Sequence, residues 1–373
     1  MELIKKTTLP IVILSSILLI SPCFNSTIAN GLQNNPTDTY IIKVAIYVGN
    51  GDEGRYARAL NYSWISGDTT YKFESTIIDG KDVLGQGEND LTTDNFDVLM
   101  IGASARSYLV HGQSEKWKEN VRDFVASGGG YYGVCGGANA ASRGFENPKN
   151  LFHKLVNRGV LGIANVYIND YLIGEWQYLF KFSYSGFFNN HNSDKSIGFV
   201  DVNTTVSKSN NNKIFSEYDR EYRHIAYAGG PGMYNTTIED SKYGPIVPLL
   251  TYNEELMDSK PLHYYVRTLR GWKIFRNVTT TLYDTFAGIA TTYEDGRVVT
   301  YGPHPELRFV VNGSIVETRG FGYLSFVLGR YFGYSYLGDR PEYTNYWLML
   351  RSIAWAAKIP NENLPPTDDT IYL

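Results

Sequence analysis

Two short stretches of this 373-residue sequence combine residue types that could do covalent chemistry. The first is Gly133-Val134-Cys135-Gly136-Gly137, set where an apolar strand, Tyr131–Val134, gives way to a helix. A nucleophile at such a junction needs a sharp turn that lifts its side chain above the sheet, and small neighbours let the backbone make it. The start of a helix there favours a thiolate, and the amide after the nucleophile, that of Gly136, points at a developing oxyanion. The second stretch is Tyr301-Gly302-Pro303-His304-Pro305-Glu306, directly after a core strand, Arg297–Tyr301. A cysteine nucleophile needs a base to take its proton and a group to orient that base. His304 can do the first and Glu306 the second. Taken singly, each stretch has a plain alternative: a buried cysteine in a glycine-rich turn, and a loop histidine beside a proline. Together, in this order and each behind a core strand, they point to a Cys-His-Glu site.

Weaker candidates surround them. Arg106 and Tyr108, just past Ser104, could meet an acidic group of a substrate, and a solvated loop explains them equally. Tyr227-Ala228-Gly229-Gly230-Pro231 permits close backbone approach and is a candidate lining, with a simple turn as the alternative. His111 reads as a loop residue able to reach the site or as a surface histidine; His224, on a strand, reads as structural. No Cys/His cluster or acidic spacing suggests a metal, and no phosphate-binding glycine pattern follows a strand, so no cofactor is expected.

The elements that must position these residues are legible as patterns. Lys43–Val48 and Phe96–Gly102 are continuous apolar runs suited to buried parallel strands, and Tyr71–Ile78 alternates like another strand. Helical patterns cover Glu53–Trp64 and Ser114–Ala126, the latter with Trp117, Val121, Phe124 and Val125 on one face. Strands alternating with helices imply a parallel sheet covered on both faces. Core segments return at Arg223–Tyr227, Ile246–Tyr252 and Phe286–Thr292, with Glu294-Asp295-Gly296 as a hairpin turn into Arg297–Tyr301. Residues 143–222 and 307–338 lose this periodicity and read as insertions, the first with strands of its own; Asn345–Lys358 closes as an apolar helix.

Hydrophobic residues make up 43% and charged residues 19%, ample for a core, and the formal net charge of -4 without a basic block disfavours a nucleic-acid partner. Lys5 and Lys6, the apolar run Leu9–Ile20 and the small residues near Thr27-Ile28-Ala29 describe a secretory signal peptide over 1–29. An uncleaved membrane anchor is the alternative. Residues 30–40 read as a linker, and 41–373 as one domain. Export leaves Cys135 as the single thiol, because the other of the 2 cysteines is Cys23. Asn61, Asn203, Asn235, Asn277 and Asn312 begin glycosylation sequons, weak support for an exported surface.

A strand–GxCxG–helix elbow followed far downstream by a strand and HPE resembles the class I glutamine amidotransferase superfamily. Within it, the sequence is most similar to proteins resembling the N-terminal domain of biotin–protein ligase. The stretches that carry the likeness are GGGYYGVCGGA (128–138), YAGGPG (227–232), GPHPE (302–306) and the terminal IAWAA. The resemblance implies a flavodoxin-like three-layer α/β sandwich with a mostly parallel central sheet, elaborated by the insertions. It implies that Cys135, His304 and Glu306 meet above the sheet's C-terminal edge. It further implies an oxyanion hole from Gly136 and the loop Gly102-Ala103-Ser104, with Ser104, Arg106, Tyr227, Gly229 and Gly230 available to substrate. That loop lacks the usual Gly-Gly pair, and neither a synthetase partner nor a biotin-ligase catalytic domain follows. The expected activity is hydrolysis of a small-molecule or peptide amide, γ-glutamyl or peptide-like, by a secreted or cell-surface protein. The competing expectation is a non-catalytic binding module that keeps the elbow.

Overall fold

Apolar runs in the order the sequence sets out form the middle of a wide sheet. The computed structural model describes residues 38–48, 53–103, 105–169, 200–216, 218–227, 229–259, 262–277, 279–307, 330–334 and 344–370. All of these lie in one unit, Pro36–Leu373. Segment 1–29, expected from the sequence to be a signal peptide, lies outside the described residues, as does most of 307–338.

The strands of the first half are β1 (Asp38–Tyr47), β2 (Ser63–Ser66), β3 (Thr69–Ile78), β4 (Val98–Ile101) and β5 (Gly130–Val134). Between them lie helices α1 (Glu53–Ala59), α2 (Gly80–Val83), α3 (Ala105–Leu109) and α4 (Glu115–Ala126). Then come α5 (Gly136–Ala141), α6 (Leu151–Gly159), β6 (Val166–Asn169), β7 (Val200–Val206), β8 (Tyr222–Tyr227), β9 (Gly232–Asn235) and β10 (Val247–Tyr252). The remainder is α7 (Leu256–Ser259), β11 (Leu262–Thr268), β12 (Gly271–Asn277), β13 (Phe286–Tyr293), β14 (Gly296–Tyr301), β15 (Arg330–Tyr334) and α8 (Tyr346–Ala356).

The main sheet runs β2-β3-β1-β4-β5-β14-β13-β10-β7-β8, with β9 and β6 attached beside β13. From β3 to β14 it is parallel, the α/β core expected from the sequence. Beyond β14 every pairing is antiparallel, as it is at β2. The strictly parallel part is therefore the half that carries Cys135 and leads into His304. The central strands β4 and β5 are buried along their whole length because helices cover both faces, whereas β3, nearer the edge, alternates buried and exposed residues. On one face Ile42, Val44, Ile46, Val98, Met100, Tyr132 and Val134 pack with Tyr56 of α1 and Trp347, Leu350 and Ile353 of α8. On the other, Ala45, Leu99, Ile101 and Tyr131 pack with Trp117, Val121, Phe124 and Val125 of α4. The result is three layers. Ser114 caps α4 by accepting from the Trp117 amide at 3.4 Å.

Several sequence boundaries shift. The linker over 30–40 is shorter, since β1 already starts at Asp38. The helix expected over Glu53–Trp64 stops at Ala59, and Trp64 joins β2 instead, paired with Tyr71. Gly67, at φ +58°, makes the tight return to β3, and the Trp64 ring stacks on Tyr71 at 5.2 Å. The insertion over 143–222 contributes strands of its own, β6 and β7, and β7 joins the main sheet between β10 and β8, the latter being the expected core segment Arg223–Tyr227. A separate three-stranded sheet, β12-β11-β15, arises largely outside the segments whose periodicity predicts strands.

Candidate active site

Cys135 sits between β5 and α5 with φ 52° and ψ -101°, a conformation costly for a residue with a Cβ. The surroundings enforce it. Its amide donates to Tyr301 O of the neighbouring strand at 2.8 Å, and the Gly137 amide donates to Gly102 O at 3.0 Å. Gly137 must be glycine here, because a Cβ would fall 2.0 Å from Ile101 O. Tyr131, from β5, donates its hydroxyl to Gly137 O at 2.8 Å and braces the same turn. Cys135 thus occupies a sharp turn between a strand and a helix, and among the described residues it is a free cysteine.

Parallel pairing of β14 with β5 sets Tyr301 opposite Val134, so the loop after β14 arrives beside the elbow. His304 is anchored there by its own amide, which donates to Ala226 O at 2.7 Å. Its Nδ1 lies 2.7 Å from Glu306 Oε1. With Nδ1 engaged by the carboxylate, Nε2 is the ring nitrogen left for proton transfer. Cys135, His304 and Glu306 are 2%, 3% and 1% exposed.

Burial alone would push the imidazole toward its neutral form. The charges of Glu306 and then Cys135, with hydrogen bonds to both, outweigh burial and raise the His304 pKa to about 10. At neutral pH the ring is therefore an imidazolium set between a carboxylate and the sulfur. Tyr132 is pushed well above the usual phenol range, mainly by burial and then by the charge of Glu306.

The other expected residues are placed as follows. The Gly136 amide, first in α5, has no acceptor among the described residues. The Ala103 amide instead donates to the Tyr56 hydroxyl at 3.3 Å, and Gly102 is tied through its carbonyl to Gly137. Ser104 lies outside the described residues, and Arg106 is placed by its backbone in α3. The Tyr227 hydroxyl donates to Gly230 O at 3.0 Å, closing its own turn, where Gly229 has φ 95°. Tyr108 is buried and accepts from Asn139 Nδ2 at 3.2 Å. His111 Nδ1 is 2.6 Å from the Tyr47 hydroxyl, and His224 Nδ1 is 2.8 Å from Asp201 Oδ2. Two surface clefts, beside Tyr243 and beside Asn120, are lined by none of the three central residues. Chemistry, not concavity, therefore marks the site. Among the described residues no group of three or more His, Cys, Asp or Glu is placed to hold a metal, and no helix is long and apolar enough to cross a membrane.

Sequence reasoning missed Tyr56, whose hydroxyl donates to Glu306 Oε1 at 3.1 Å. A tyrosine on an amphipathic helix carries no local sign of such a bond.

No family model matches the chain, and no curated protein matches it. Among solved structures it is similar to PurLQS from Thermotoga maritima, with 16% identity, a TM-score of 0.38, and coverage of 71% of this chain and 88% of that one. It is also similar to a cytoplasmic protein of Salmonella typhimurium, STM3548, at 9% identity and a TM-score of 0.33, covering 84% and 98%. A β-galactosidase from Bacillus circulans shares 10% identity at a TM-score of 0.34; the likeness covers 70% of this chain and 28% of the enzyme. Likenesses this weak say nothing about chemistry.

Proposed function

We propose that this protein is an exported thiol hydrolase of the amidotransferase-like kind, acting on a γ-glutamyl or peptide-like amide. The observation that carries the reading is the His304–Glu306 contact of 2.7 Å beside a Cys135 held in a strained elbow. Cys135 attacks the carbonyl carbon, and the Gly136 amide meets the developing oxyanion. The amide C–N bond breaks as His304, held as imidazolium, passes its proton to the leaving amine. The ring, now neutral, takes a proton from water, whose oxygen attacks the thioester carbonyl; the carbon–sulfur bond breaks, the acid leaves and Cys135 is regenerated beside the protonated ring. The finer kinship, to proteins resembling the biotin–protein ligase N-terminal domain, rests on GGGYYGVCGGA, YAGGPG and GPHPE. Export rests on the basic and apolar pattern of residues 1–29.

A second reading, a binding module that keeps the elbow without turnover, is favoured by the near-complete burial of all three residues. The deciding measurement is release of amine from γ-glutamyl and peptide amides by the wild-type protein and by Cys135→Ala. Hydrolysis predicts a loss of about three orders of magnitude in the variant. Equal rates in the two proteins refute it.

A further inference from the structure

Glu306 is enclosed, and its two oxygens are used unequally. Oε1 meets both His304 Nδ1, at 2.7 Å, and the Tyr56 hydroxyl, at 3.1 Å, whereas Oε2 has no hydrogen-bond partner among the described residues. A carboxylate with one occupied oxygen can swing about its last bond, and the histidine it orients then swings with it. The Tyr56 bond opposes that swing.

Tyr56 is itself fixed. It comes from α1, is 2% exposed, and its hydroxyl accepts from the Ala103 amide at 3.3 Å. A hydroxyl has one proton to give, and because the amide occupies a lone pair that proton goes to the carboxylate. The ring lies against Gly102, where a Cβ would fall 2.4 Å from Cε2. A side chain at 102 would thus expel the ring. One hydroxyl therefore joins the acid of the site to the turn after β4, the same turn whose carbonyl at Gly102 holds the Gly137 amide behind Cys135.

We propose that Tyr56 is a positioning residue for the reaction, fixing Glu306 and through it the His304 ring, and tying both to the 102–103 turn. This rests on reading Cys135, His304 and Glu306 as a working site. Tyr56→Phe removes one oxygen and keeps the ring against Gly102, so packing is preserved. With γ-glutamyl p-nitroanilide as the probe, kcat falls about tenfold while KM changes little, as expected for loss of a bond that orients the transition state.

Two signals need no substrate. In amide NMR spectra the Ala103 proton moves upfield as its acceptor disappears, and the proton on His304 Nδ1 shifts as Glu306 loses a donor. Gly102→Ala, which displaces the ring, moves the same two signals. Unchanged Ala103 and His304 signals in Tyr56→Phe overturn the proposal. So do moved signals with an unchanged kcat, which would make the bond merely structural. If the wild-type protein is no faster than Cys135→Ala, the hydrolase reading fails and no reaction remains for Tyr56 to serve; the NMR pair then reports separately whether the bond exists.

Discussion

Glu306→Gln keeps the shape of the side chain and deletes a charge whose oxygen lies 2.7 Å from the imidazole. A charge pair with centres about 4 Å apart, at an effective dielectric of about 20, is worth ~4 kcal/mol. That corresponds to about three pH units of titration. His304, raised in the wild type to about 10, therefore falls to about 7 in the variant. Ring nitrogen NMR shifts followed from pH 5 to 10.5 read this directly. The wild-type ring stays an imidazolium through pH 8, and the variant is roughly half neutral at pH 7. Stability follows with a definite sign. The folded pKa lies above the unfolded value of about 6.5, so the stabilisation is complete below that pH. It is lost as pH rises from there through about 10, so the wild-type Tm declines across that window and the variant's declines far less. A variant ring that still titrates above about 9, or a wild-type ring already neutral at pH 8, refutes the role given to Glu306.

Other perturbations test the frame. Gly137→Ala places a Cβ 2.0 Å from Ile101 O, a clash with backbone that no rotamer relieves. We expect a loss of about 3 kcal/mol or more in urea unfolding, with turnover abolished in whatever protein folds. Asp369→Ala removes a carboxylate 2.7 Å from Arg223, whose side chain is 0% exposed. With Asn345, Tyr218 and Thr344 still bonded to the guanidinium, the cost is about 2–3 kcal/mol, read as a lower urea midpoint at constant slope. No change in that midpoint would show that Arg223 is satisfied without Asp369.

Much of the parallel half was legible in the sequence for a physical reason. Strands covered on both faces must be apolar throughout, and Lys43–Val48 and Phe96–Gly102 have no other reasonable use. The elbow was legible because a sharp turn at a strand end needs glycines at fixed offsets from Cys135, and the His304 loop because it follows a strand announced by a hairpin turn. Three things were hidden. The antiparallel extension through β10, β7 and β8 depends on pairings between distant segments, which local periodicity does not encode. The β11–β12 hairpin carries charged residues in both strands, in HYYVRT and WKIFRN, and so lacks a continuous apolar run. Buried Arg223 and Arg351 are held partly by backbone carbonyls, those of Thr344, Ile214 and Pro365, and a carbonyl leaves no trace in a sequence. Tyr56 belongs to the same class of hidden fact.

The pairing of β14 with β5 also governs the order in which this molecule becomes itself. Val134 and Tyr301 are neighbours in space but stand far apart in the chain, and closing so long a loop is slow compared with forming the local strands and helices. Until that closure the thiol of Cys135 has neither its histidine nor its cover. In an oxidising compartment the folding chain would pass through an interval in which its Cys135 sulfur stands open to disulfide exchange with other chains. The burial that guards the finished site therefore depends on a long-range closure, and a folding delay at β14 would show itself as covalent dimers.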